Sequence, residues 1–133
     1  MNKIEHIGIA VNDLKSAALT YEKLLNSPVY KTEEVASEGV ITAFLQYGPN
    51  KIELLEASTA DSPIAKFIAK KGEGIHHIAF EVDDIAAEME RLKKEGFVLL
   101  NDTPKRGADN KLVCFVHPKG ANGVLVELCQ EVK

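Results

Sequence analysis

The chain has 133 residues, of which 45% are hydrophobic and 27% charged, with a formal net charge of −4. That length suffices for one domain with a sizeable core, and the acidic balance argues against a non-specific nucleic-acid binder, which needs a basic field. No signal core, transit segment or membrane-length apolar run is evident, so a cytoplasmic protein is expected.

The pattern opens with "EHIGIAV", residues 5–11, which alternates as a strand. A helix follows in "DLKSAALTYEKLLN", with Asp13 as N-cap and Leu14, Ala17, Ala18, Tyr21 and Leu25 on one face. Three strand signals come next: "VYKTEEV", "GVITAFLQYG" and "KIELLEA", the last two joined by a "GPN" turn. The stretch "DSPIAKFIAKKGEG" predicts a connecting helix over about residues 61–72. Ser62 is its N-cap, Pro63 its first position, Gly72 its stop, and Ile64, Phe67 and Ile68 its buried stripe.

The second half restates the first. "GIHHIAFEV" reads as a strand, and "DIAAEMERLKKEG" as a helix capped by Asp84, with Ile85, Met89 and Leu92 inward. "FVLLN", "KLVCFVHP" and "GVLVELCQ" complete three more strands. At an offset of 71 residues His6 falls on His77, Val11 on Val82 and Asp13 on Asp84, so the chain reads as two βαβββ units. Unit one covers about residues 1–60 and unit two about 73–133, within a single α+β domain. Cys114 and Cys129 lie in apolar strands without CxxC spacing, which predicts two buried, reduced thiols.

The duplicated βαβββ plan resembles the vicinal-oxygen-chelate (glyoxalase-like) superfamily over the whole chain. The resemblance implies a cupped mixed β-sheet with flanking helices, arranged around a divalent metal. Four residues stand at matching places of the two units: His6 and His77 on the first strands, Glu53 and Glu127 on the last. A carboxylate that interrupts an apolar strand costs several kcal/mol of desolvation unless it is compensated. Two imidazoles and two carboxylates suit Co²⁺, Mn²⁺, Ni²⁺ or Zn²⁺, and in an octahedral site they leave two positions open. Strand neighbours face opposite ways, so His77 is the expected ligand and His76 packs or hydrogen-bonds on the other face. His117, at a strand end, is expected outside the ligand set.

The segments "DSPIAKFIAKKGEGIHHIAFEVDDI" and "KLVCFVHPKGANGVLVELCQ" resemble the methylmalonyl-CoA epimerase family. That resemblance implies an isomerase that interconverts (2R)- and (2S)-methylmalonyl-CoA by removing the C2 proton through a metal-stabilised enolate. It places His6, Glu53, His77 and Glu127 on the family's metal positions, with cobalt the foremost candidate, and gives Glu127 a part in proton transfer. Inversion requires a second acid–base group on the opposite face. The family often has a glutamate two positions before the glycine of "GV"; here that position is Ser37, and Glu38 directly precedes Gly39. Glu38, or Ser37 acting through water, is the candidate. Lys105, Arg106, Lys111 and Lys119 cluster around later loops as candidate phosphate contacts, each also readable as solvated surface.

The expected partner is a CoA thioester, with neither nucleic acid nor membrane involved, and the resemblance implies a homodimer. Two rivals share the fold. Lactoylglutathione lyase (glyoxalase I) uses the same His, Glu, His, Glu ligand set, and metal-free modules of this fold bind small molecules.

Overall fold

The computed structural model describes residues 1–132. Among the described residues, eight strands and three helices form two compact units, one made of His6–His76 and the other of Met1–Glu5 with the chain from His77 onward. The first five residues thus belong with the second half of the sequence, and the connecting helix with the first.

In the His6–His76 unit, β1 (Lys3–Ala10) leads to α1 (Leu14–Leu25), then β2 (Val29–Val35), β3 (Val40–Tyr47) and β4 (Asn50–Ala57). Residues 6–10 of β1 run parallel to β4, pairing Gly8 with Glu53, and β2, β3 and β4 form an antiparallel meander that pairs Phe44 with Glu53. Alternation along these strands sorts their side chains into two sets. Val11, Ala43, Leu45 and Leu54 are buried on one side with Leu14, Ala17, Ala18, Tyr21 and Leu25 of α1, the stripe expected from the sequence. On the other side Ala10, Val40 and Leu55 meet Ile64, Phe67 and Ile68 of α2 (Pro63–Lys71).

The second unit repeats this path with β5 (Gly74–Glu81), α3 (Ile85–Lys94), β6 (Lys105–Arg106), β7 (Lys111–Val116) and β8 (Val126–Glu131). β5 runs parallel to β8, pairing Ala79 with Glu127, and β7 runs antiparallel to β8, pairing Phe115 with Glu127. Ile85, Met89 and Leu92 of α3 are buried with Val82, Cys114, Val116 and Leu128. Both cysteines are free and buried, as expected.

The helix starts are built alike. Asp13 and Asp84 accept from backbone amides of their own first turns. The first amide of each helix is satisfied from far away: Leu14 N donates to Glu56 Oε1 at 2.6 Å and Ile85 N to Gln130 Oε1 at 2.8 Å. A side chain on each unit's last strand therefore covers an amide that the helix itself leaves open. Ser62 caps α2 through Ala65 N, and Gly72 follows that helix.

One expected strand is reduced. "FVLLN" meets β7 only at an isolated Leu99–Val116 bridge, flanked by Leu100 N to Phe115 O and His117 N to Val98 O. The Asn101 side-chain oxygen then accepts the Phe115 amide at 3.0 Å and takes the place of a backbone partner. Pairing with β7 resumes at β6, beyond Pro104, where Lys105 faces Val113.

Candidate functional site

Each unit holds one buried histidine–glutamate pair. His6 on β1 and Glu53 on β4 are 4% and 5% exposed, with Nδ1 3.1 Å from Oε2. His77 on β5 and Glu127 on β8 are 5% and 6% exposed, with Nε2 3.2 Å from Oε1. The register produces both contacts. His6 is two residues before Gly8, the partner of Glu53, and His77 is two residues before Ala79, the partner of Glu127. In a parallel pair, such positions project on one side and bring ring and carboxylate together.

These spacings fit a metal ion. Two donor atoms each about 2.1 Å from one ion, at right angles, stand about 3 Å apart. Imidazole nitrogen with carboxylate oxygen is also the donor set that borderline divalent ions favour. Each pair can thus supply two adjacent ligands.

A phenylalanine stands across the strand from each acid. Phe44 is opposite Glu53 and Phe115 opposite Glu127, again 71 residues apart. The Phe115 ring stands edge-on to His77, with centroids 5.9 Å apart and planes at 88°. A lysine approaches each ring: Lys31 Nζ is 4.9 Å from the Phe44 centroid and Lys105 Nζ is 5.8 Å from that of Phe115. Sequence reasoning missed these aromatic walls, although the repeat offset that superposes the histidines also superposes the two phenylalanines.

His76 lies away from this pairing. Its ring meets Phe67 of α2 edge-on at 5.0 Å, so it packs beside the connecting helix. His117 follows β7 and accepts from Lys119 N through Nδ1 at 3.0 Å, which makes it the cap of a short turn. Glu38 ends a single 3-10 turn, Ala36–Glu38, between β2 and β3, and is half-buried while Ser37 is exposed. Gly39 follows with φ of 65°, and an added Cβ there would fall 2.7 Å from Ser62 Cβ. Only glycine lets that turn approach the start of α2 so closely.

The four basic candidates for phosphate separate in character. Lys111 is buried, with Nζ 4.0 Å from Asp109 Oδ2, and Arg106 hydrogen-bonds the Asn110 side chain. Lys105 lies over Phe115, and Lys119 is exposed.

Residues 5–115 match the family model described as Glyoxalase/Bleomycin resistance protein/Dioxygenase superfamily. The ethylmalonyl-CoA/methylmalonyl-CoA epimerase of Cereibacter sphaeroides is 44% identical over 98% of this chain and 98% of its own. The human mitochondrial methylmalonyl-CoA epimerase is 43% identical over 98% of this chain and 74% of its own. Lactoylglutathione lyase of Escherichia coli O157:H7 is more distant, at 25% identity over 97% of this chain and 93% of its own. Among solved structures, a variant of Streptomyces coelicolor methylmalonyl-CoA epimerase in complex with 2-nitronate-propionyl-CoA superposes with a TM-score of 0.96. It is 36% identical and covers 100% of this chain and 99% of that one. The chain therefore belongs to the glyoxalase/bleomycin resistance protein/dioxygenase superfamily and, within it, to the methylmalonyl-CoA epimerase family.

Proposed function

We propose that this protein is an isomerase that interconverts the 2R and 2S epimers of methylmalonyl-CoA. The observation that carries the reading is the buried His–Glu pair that recurs in both units, on a chain similar over nearly its whole length to epimerases of that substrate. His6, Glu53, His77 and Glu127 together would hold one divalent ion, with Co²⁺ foremost and Mn²⁺, Ni²⁺ or Zn²⁺ as alternatives. When bound, that ion supplies positive charge to offset the negative charge that develops on the thioester oxygen as the C2 proton leaves.

The remaining work belongs to the chain's own side chains. Carbon 2 lies between a carboxylate and a thioester, so its proton is acidic enough for a positioned carboxylate to remove. Inversion then needs a proton returned to the opposite face of the planar enolate. Glu127 takes one face. Glu38, half-buried at the mouth of β3, takes the other, with Ser37 and water as the alternative relay. Phe44 beside Glu53 and Phe115 beside Glu127 give each acid an apolar neighbour within its own unit. Lys105 and its basic neighbours are the candidates for the CoA phosphates.

The same reading has the two units forming one vicinal-oxygen-chelate domain and the chain working as a cytoplasmic homodimer. Family resemblance supports the homodimer, and two free buried thiols suit a reducing compartment. Among the described residues no helix is long and apolar enough to cross a membrane.

The test is an assay with a single epimer of methylmalonyl-CoA, run with metal-loaded and metal-stripped protein. The reading expects the loaded protein to bring the two epimers to equal amounts and the stripped protein to lose that activity. Preferred turnover of the glutathione–methylglyoxal adduct would favour the lyase instead.

A further inference from the structure

Thr42 stands on the sheet face that carries Glu53. It lies on β3, two residues before Phe44, and pairs with Leu55 on β4 and Glu33 on β2. By strand alternation, Thr42 and Phe44 project on the same side, as do Leu55 and Glu53. Thr42 is therefore the diagonal neighbour of Glu53, about 7–8 Å away by ordinary sheet geometry. The residue is 1% exposed, and its hydroxyl is buried without a hydrogen-bond partner.

A buried hydroxyl left unpaired destabilises the fold, whereas a methyl group of the same shape in its place costs nothing of the kind. The protein contains that apolar alternative at the corresponding position. Val113 lies 71 residues on, two before Phe115, and is buried with Ala79 and Cys129. The repeated architecture is thus satisfied by valine, and the hydroxyl in the first unit answers to something other than folding.

We infer that Thr42 is a substrate-positioning residue whose hydroxyl donates a hydrogen bond to the free carboxylate of the bound malonyl-type acyl group. This rests on the epimerase reading above and adds a determinant of acyl selectivity to it. Within the malonyl-type acyl group, the carboxylate has the most acceptor capacity, with two oxygens and about four lone-pair sites. Once C2 and the thioester oxygen are engaged, at least one carboxylate oxygen still needs a donor. Thr42 lies beside the acid of the site and has a hydroxyl to give. Propionyl-CoA, which lacks the carboxylate, would gain nothing from it.

The test compares wild type, T42V and T42S in three measurements: ligand-free thermal stability, calorimetric affinity for equilibrated methylmalonyl-CoA, and affinity for propionyl-CoA. The inference expects T42V to be as stable as wild type or more so, and to bind methylmalonyl-CoA about 10- to 100-fold more weakly, as expected for loss of a hydrogen bond to a charged group. T42S should restore affinity to within about threefold, since it returns the donor, and propionyl-CoA affinity should not respond to either change. Equal methylmalonyl-CoA affinity in wild type and T42V would remove Thr42 from substrate recognition. A ligand-free T42V markedly less stable than wild type would show that the hydroxyl serves the fold and would also overturn the inference. Failure of the wild type itself to bind methylmalonyl-CoA would instead overturn the epimerase reading on which it rests.

Discussion

Phe115 holds His77 edge-on while standing directly across the strand from Glu127, so one ring braces both members of a buried pair. Such bracing fixes imidazole orientation, and groups that orient metal ligands typically affect metal affinity by about 10- to 100-fold. Replacing Phe115 by Ala should lower metal affinity by about tenfold or more with all four proposed ligands intact, while F115L should retain most of it. Metal titration of the two variants checks this. Unchanged affinity in F115A would mean that the ring serves packing alone.

The parity of β5 separates the adjacent histidines. His77 contacts Glu127, whereas His76 packs on Phe67. His77→Ala should abolish both bound metal and activity. His76→Ala should keep both and lose about 1 kcal/mol of stability, the ordinary cost of trimming a half-buried side chain. Metal content by elemental analysis decides it: loss in H76A and retention in H77A would reverse the assignment.

Glu38→Gln isolates the second proton-transfer group. The amide keeps the shape of the side chain but cannot take up a proton, so epimerisation should slow by about 10²- to 10⁴-fold with metal content unchanged. A fully active variant would exclude Glu38 and leave Ser37 and water as the relay.

Burial pushes the Cys114 thiol above its ordinary range. The folded protein should therefore react slowly with disulfide reagents near pH 8, and both Cys114 and Cys129 should react on unfolding. The linkage has a definite sign. With the folded pKa raised, the unfolded state releases its thiol proton first, so this contribution is constant below the unfolded pKa of about 8.5 and stability declines as pH rises beyond it. Denaturant titrations between pH 7 and 10 measure the slope. Rapid labelling of one thiol in the native protein would contradict the burial argument.

Much of this arrangement was legible in the sequence because duplication doubles each signal. His6 alone is an ordinary strand histidine; His6 with His77, each followed at similar distance by an acid in an apolar strand, points to paired sites. The helices were legible for local reasons: Asp13, Ser62 and Asp84 each cap their own first turn. What was hidden depends on distant partners. Asn101 reduces the "FVLLN" strand by taking the Phe115 amide, a contact visible only after β7 is placed. The caps from Glu56 and Gln130 bridge more than forty residues in each case. Thr42 reads as a normal strand residue until its burial and missing partner are known.

The central claim is proton exchange at carbon 2, and following that carbon in deuterated water tests it most directly. Metal-loaded protein is incubated with one epimer of methylmalonyl-CoA, and label is read in each epimer at early times. Two acid–base groups on opposite faces predict that the product epimer carries solvent deuterium from the outset. The starting epimer should gain label more slowly, because return from its own face can restore the original proton. Absence of deuterium from methylmalonyl-CoA, with rapid turnover of the glutathione–methylglyoxal adduct by the same preparation, would contradict the account.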